Sequence, residues 1–130
     1  MNLRLVTAPN EEPVTLNEAK DWLRVSGSEE DFLINSLIVT ARQNVEAFLQ
    51  RAVITQTWEL GLDEFPSCKK LTLPFPNLQS VGSVKYYDSE NSLQTLDPSS
   101  YQVVTSSLPG LVERNWDTSW PTTYPKSDGV

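Results

Sequence analysis

"RAVITQTWELGLDEFP", residues 51–66, is the stretch in which the chain changes character. Just before it, "VEAFLQ" (45–50) closes a long run whose apolar residues recur at helical spacing. Within it, Trp58, Leu60 and Leu62 alternate with Thr57 and Glu59, and that two-residue period is the mark of a half-buried strand. The junction holds no glycine-rich phosphate loop, no histidine and no cysteine. Its meaning lies in the two kinds of structure it joins.

Upstream, the pattern predicts two helices. Thr15 followed three residues later by Glu18 is a capping box, with Leu16, Ala19 and Leu23 behind it at helical spacing, so a short helix is expected over about 16–24. Gly27 separates it from a second start. There Ser28 is placed to cap, and Glu29, Glu30 and Asp31 fall in a first turn where the helix dipole favours negative charge. The second helix is expected over 29–50, with an apolar stripe of Phe32, Leu33, Leu37, Ala41, Val45, Phe48 and Leu49. Ile34, Ile38 and Val39 widen the stripe beyond what the short first helix can cover, which makes them candidates for contact with a neighbouring subunit.

Downstream, "VITQTWELGL", "KKLTL", "SVGSVKYYD", "LQTLD" and "YQVV" are short β-rich runs separated by turn material. "KYYDSENSLQTLD" predicts a hairpin with its loop near Ser89–Ser92, and "YQVVTSSLPGLVER" a second one. The last residues, "NWDTSWPTTYPKSDGV", have no periodicity. The expected fold is therefore α+β in one domain over 1–130: a helical module at about 13–52, a small antiparallel β region at about 53–114 and an extended tail at 115–130. Phe32, Leu37, Ala41, Val45, Phe48, Trp58 and Leu60 are the expected buried set.

At 130 residues and 38% hydrophobic, the chain suits one modest core. No run reaches the roughly 18 apolar residues of a membrane span, and the N-terminus lacks the apolar stretch of a secretory signal. A single cysteine, Cys68, cannot pair internally. The net charge is −7, of which residues 1–66 carry −6 and residues 67–130 carry −1. Such acidity opposes phosphate neutralisation and hence general nucleic-acid binding.

Catalytic patterns are absent. Without histidine there is no Ser-His-Asp or Cys-His arrangement and no histidine metal site. Asp88 and Glu90 in "DSENS" lack the ligand number and glycine of a calcium loop and suit a solvated hairpin tip. Glu29, Glu30 and Asp31 invite a carboxylate-pair hydrolase reading, but helix-start electrostatics account for them fully. No enzyme, cofactor or metal is expected. The aromatics are more suggestive. Trp116, Trp120 and Tyr124 lie in a segment interrupted by Pro121 and Pro125, and they are candidate anchors for a partner protein on a mobile arm.

Taken together, "EPVTLNEAKDWLRV" (12–25), "EEDFLINSLIVTARQNVEAFLQRAVITQTWEL" (29–60), "LPFPNLQSVGSVKYYD" (73–88) and "LDPSSYQV" (96–103) resemble the head–tail connector proteins of tailed bacteriophages, prophages and gene-transfer particles. The likeness runs over about residues 12–121. It implies a structural virion protein, also called a head-completion or adaptor protein. Such a protein forms a ring with itself, commonly of twelve copies, below the portal protein at the capsid vertex, and is assembled in the host cytoplasm. The ring extends the DNA channel without sequence-specific binding and meets a neck or tail-completion protein. Members of that family usually continue past a "WP" segment into a further strand and a C-terminal helix, whereas this sequence stops shortly after Trp120 and Pro121. The competing expectation is a small non-enzymatic module that binds protein or carbohydrate through its Trp/Tyr-rich tail.

Overall fold

The computed structural model describes residues 1–130 and has two helices followed by small antiparallel sheets, a mixed α+β fold. The chain divides into two compact units: Thr7–Gln56, which is helical, and Met1–Val6 with Thr57–Val130, which is built of strands.

In the helical unit, α1 spans Leu16–Leu23 and α2 spans Asp31–Leu49. The capping box forms as the spacing predicts. Thr15 N–H donates to Glu18 Oε2 at 2.8 Å, and Glu18 N–H donates to Thr15 Oγ1 at 3.2 Å. The Thr15 backbone N–H, and after it the Thr15 hydroxyl at 2.9 Å, donate to the Glu18 carboxylate and hold it below its ordinary value. The stop differs from expectation. Arg24, rather than Gly27, takes the left-handed conformation that ends α1, at φ 57°. α2 also starts two residues later than predicted. Ser28 does not cap it; Glu30 holds the N-cap position with no side-chain bond, and the Ser28 carbonyl accepts from Asp31 N–H. Asp31 instead receives Lys20 Nζ at 2.6 Å, tying the start of α2 to α1.

The β unit contains seven strands. β1 (Asn2–Thr7) pairs with β2 (Thr57–Gly61), and Arg4 meets Glu59 on that ribbon at 2.7 Å. The alternation in "NLRLVT" is a strand pattern that the sequence reading passed over. β3 (Lys70–Thr72), β6 (Tyr101–Val104) and β7 (Leu111–Arg114) form a sheet in the order β3–β7–β6, with Leu71 and Val103 both opposite Val112. β4 (Lys85–Tyr87) and β5 (Leu93–Thr95) make the predicted "DSENS" hairpin. Its turn is closed by Asp88, whose carboxylate accepts from Glu90 N–H, Ser92 N–H and Gln94 Nε2.

The core of this unit is Phe65, Val84, Leu96, Tyr101 and Val112, with Leu71, Leu73, Val81, Tyr86, Val103, Trp120 and Val130 packed against it. Trp58 and Leu60, expected inside, are half-buried; Trp58 stacks on Phe75 with ring centroids 4.9 Å apart. The tail is not a free arm. Trp120 lies flat on Phe65, 4.8 Å between centroids and 3° from parallel, and its Nε1–H donates to the Cys68 carbonyl. Val130 exchanges both backbone bonds with Leu62, and Tyr87 binds Gly129 and Tyr124 through its own backbone. Lys126 Nζ sits 3.4 Å over the Tyr87 ring. These ties replace the expected mobility of 115–130 with a strand-like docking along β4 and the end of β2.

Candidate assembly interface

The expected burial of α2 is inverted. Phe32, Leu33, Leu37, Ala41, Val45, Phe48 and Leu49 are all exposed, and the residues buried on this helix are Ile34, Arg42 and Glu46. At 100° per residue, Ile34, Ile38, Arg42 and Glu46 form one row, with Leu33, Leu37, Ala41 and Val45 in the adjacent row one step round the cylinder. Phe48 falls beside the second row a turn further on, while Phe32 lies away from it. The molecule thus turns the more apolar row to solvent and keeps a charged pair inside. Predicted interface residues divide accordingly. Ile34 is only 4% exposed and belongs to the interior of the helical unit, whereas Ile38 and Val39 are half-buried at its edge.

The inward charges are held by a closed set of bonds. Arg42 grips Glu12 with two nitrogens, Nε at 2.6 Å and Nη2 at 3.2 Å, and reaches Glu46 Oε2 through Nη1 at 2.7 Å. The other Glu46 oxygen accepts from Val53 N–H at 3.0 Å and Gln56 Nε2 at 2.5 Å. Arg42 and Glu46 are 7% and 5% exposed. The Glu12 carboxylate, followed by that of Glu46, holds the guanidinium above its ordinary range against the opposing effect of burial. A buried pair of this kind is tolerated only when nearly every polar atom is partnered, as here. The sequence reading missed it. The i,i+4 Arg–Glu spacing is visible, but charges on a helix usually face water.

Further exposed apolar residues are Trp22 and Leu23 on α1 and, in the β unit, Leu93, Leu108 and Trp116. Trp116 is 84% exposed on a rigid turn: Asn115 N–H and Nδ2 donate to the Ser100 and Ser99 carbonyls, and Thr118 N–H donates to the Asn115 carbonyl. An Arg114 Nη1–Thr118 carbonyl bond closes that turn. Of the three aromatic anchors, Trp116 is presented, Tyr124 is partly exposed, and Trp120 is withdrawn into the core packing.

No group of three or more His, Cys, Asp or Glu side chains is placed to hold a metal ion. Asp88 and Asp97 are both lowered, first by the backbone N–H groups of Ser92 and Ser99 respectively, so each carboxylate is consumed by its own turn. Glu11, Glu12, Val14, Thr15, Leu16, Asn35 and Ile38 line a shallow depression of about 390 Å³, whose one hydroxyl, that of Thr15, is engaged with Glu18 in the helix cap. No helix is long and apolar enough to cross a membrane.

Comparison with known proteins agrees with the fold. A solved chain described as the neck of an empty GTA particle computed with C6 symmetry superposes with a TM-score of 0.80 at 20% identity, over 95% of this chain. This chain spans 65% of the length of that one. Curated proteins give no significant match. The model of the phage gp6-like head-tail connector protein family matches residues 13–107, most of the sequence. By that match the chain belongs to the gp6-like head-tail connector family of phage proteins.

Proposed function

We propose that the protein is a structural connector whose copies close into a ring, of twelve copies by family analogy, at the neck of a phage or phage-like particle. In this reading the ring sits below the portal protein, extends the channel through which DNA passes, and presents a platform for a neck or tail-completion protein. It acts in the virion after assembly in the host cytoplasm, and it carries out no catalysis.

The observation that carries the proposal is the outward row of α2. Leu33, Leu37, Ala41, Val45 and Phe48 form an apolar strip on a folded helix. Strips of this kind on soluble proteins mark association surfaces. A heterologous contact between this strip and a different face of the next copy generates a ring when the rotation closes. Ile38 flanks the contact, Val39 lies on the opposite side of the helix and outside it, and Trp116 and Tyr124 serve partner proteins above or below. The acid excess suits a channel lining that DNA crosses without sticking.

Sedimentation of the purified protein over a concentration series, alone and with portal rings, tests the proposal. Discrete ring-sized species or stoichiometric portal attachment is expected. A chain that stays monomeric under both conditions contradicts the assignment. The competing tail-binding module is disfavoured by a specific contact: Trp120 is already stacked on Phe65, leaving no three-aromatic platform.

A further inference from the structure

We infer that the Glu12–Arg42–Glu46 clasp sets the roll of α2 about its own axis, and so decides which row of the helix is offered for assembly. The inference rests on the ring reading for the use of the outward row, but the roll itself is a property of the single chain.

The reasoning starts from two adjacent rows. The inward one is Ile34, Ile38, Arg42, Glu46, and the outward one is Leu33, Leu37, Ala41, Val45. Each outward residue precedes an inward one by a single position, so a roll of about 100° brings the outward row to the inward place and carries the inward row on to the side now held by Asn35, Val39, Gln43 and Ala47. Burial of apolar surface alone favours the rolled arrangement, since it takes Leu33, Leu37, Ala41 and Val45 inside in place of Ile34 and Ile38 and returns two charges to water. The hydrophobic pattern of α2 therefore specifies the wrong roll, and something directional must oppose it.

The clasp is the directional element. Arg42 bonds are aimed at Glu12, in the segment that leads into α1, and at Glu46 on its own helix. Glu46 in turn accepts from Val53 N–H and Gln56 Nε2, in the segment that follows α2. Both chain segments flanking the two helices are thus bonded to one face of α2, and a roll breaks the bonds to Glu12, Val53 and Gln56, while the Arg42–Glu46 bond turns with the helix. Two-nitrogen recognition of a carboxylate by a guanidinium is geometrically demanding, which makes it a register device rather than a general attraction. A helix that must keep an apolar row uncovered until a neighbour arrives needs such a device.

The test replaces the clasp with neutral polar residues, E12Q/R42Q/E46Q, which remove the ionic bonds without adding apolar surface to the inward row, in the full chain with Cys68→Ser. Single reporter cysteines at Leu37→Cys and Ile34→Cys are then labelled with a thiol reagent. With the clasp intact, the Leu37→Cys thiol reacts roughly tenfold or more faster than Ile34→Cys, because labelling follows exposure. In the clasp variant the order is expected to reverse with helical circular dichroism retained, and self-association to weaken roughly tenfold or more. An unchanged labelling order overturns the inference. So does an unfolded clasp variant, since the apolar row then cannot take the place of the charged one. Reversed labelling with association unaltered, or with an unmodified chain that never associates, leaves the clasp standing and refutes the ring interface instead.

Discussion

Phe48→Gln separates assembly from folding most cleanly. Phe48 is 87% exposed, so its ring contributes almost nothing to packing within the helical unit. Glutamine is a good helix former and keeps α2 intact near its C-terminal end. Full burial of a phenylalanine side chain is worth about 1.5–3 kcal/mol. With nearly all of that surface available to a neighbour, the substitution should cost each subunit contact about 2 kcal/mol, or roughly a 30-fold weaker association. In a closed ring every contact carries the same loss. Sedimentation velocity over a concentration series should show the ring giving way to monomer, while the urea unfolding midpoint stays put. Gln43→Ala, exposed on another side of α2, serves as the control and should change neither. Association equal to the unmodified chain, or a lowered unfolding midpoint for Phe48→Gln, would refute the placement of Phe48 in a subunit contact.

Other substitutions should act on stability in the opposite sense. Ile34→Ala removes the one apolar side chain of α2 that is fully inside and should destabilise the helical unit by about 2–4 kcal/mol in denaturant titration. Trp120→Ala loses both the Phe65 stack and the bond to the Cys68 carbonyl, and should cost about 3 kcal/mol, whereas Trp116→Ala should stay within about 0.5 kcal/mol and weaken only partner attachment. Glu18, Asp88 and Asp97 all have lowered folded-state pKa values, so their contribution is present above the unfolded values and is lost as pH falls through the folded ones. Thermal stability should therefore fall on acidification below about pH 4.5, and Glu18→Gln should flatten its share of that slope. The isolated chain should show no micromolar affinity for duplex DNA by fluorescence anisotropy at low salt, given its net charge of −7.

The local signals in the sequence were reliable where chemistry is local. Thr15 and Glu18 announce the start of α1 because the capping box needs only four residues, and the two hairpins follow from turn residues flanked by alternating runs. The roll of α2 was not legible. Periodicity locates an apolar stripe but says nothing about whether the same chain or another copy covers it. Arg42 and Glu46 look like solvent-facing charges until Glu12, thirty positions before Arg42, is seen bonded to the guanidinium. The tail misled for a related reason: Trp120 has no helical or strand period, and its partners Phe65 and Cys68 are more than fifty residues distant. Of the interface residues expected from sequence, Ile34 lies inside the helical unit, whereas Ile38 and Val39 are half-buried.

The central claim is that the Leu33–Leu37–Ala41–Val45–Phe48 row is covered by a neighbouring copy in the assembled neck. A cryo-EM reconstruction of the ring on its portal, at a resolution that shows side chains, measures this directly. The account predicts Leu37 and Phe48 buried against the next copy, with Arg42 still bonded to Glu12 and Glu46 inside each chain. A ring in which that row faces solvent or the channel, with copies joined through other surfaces, would contradict it.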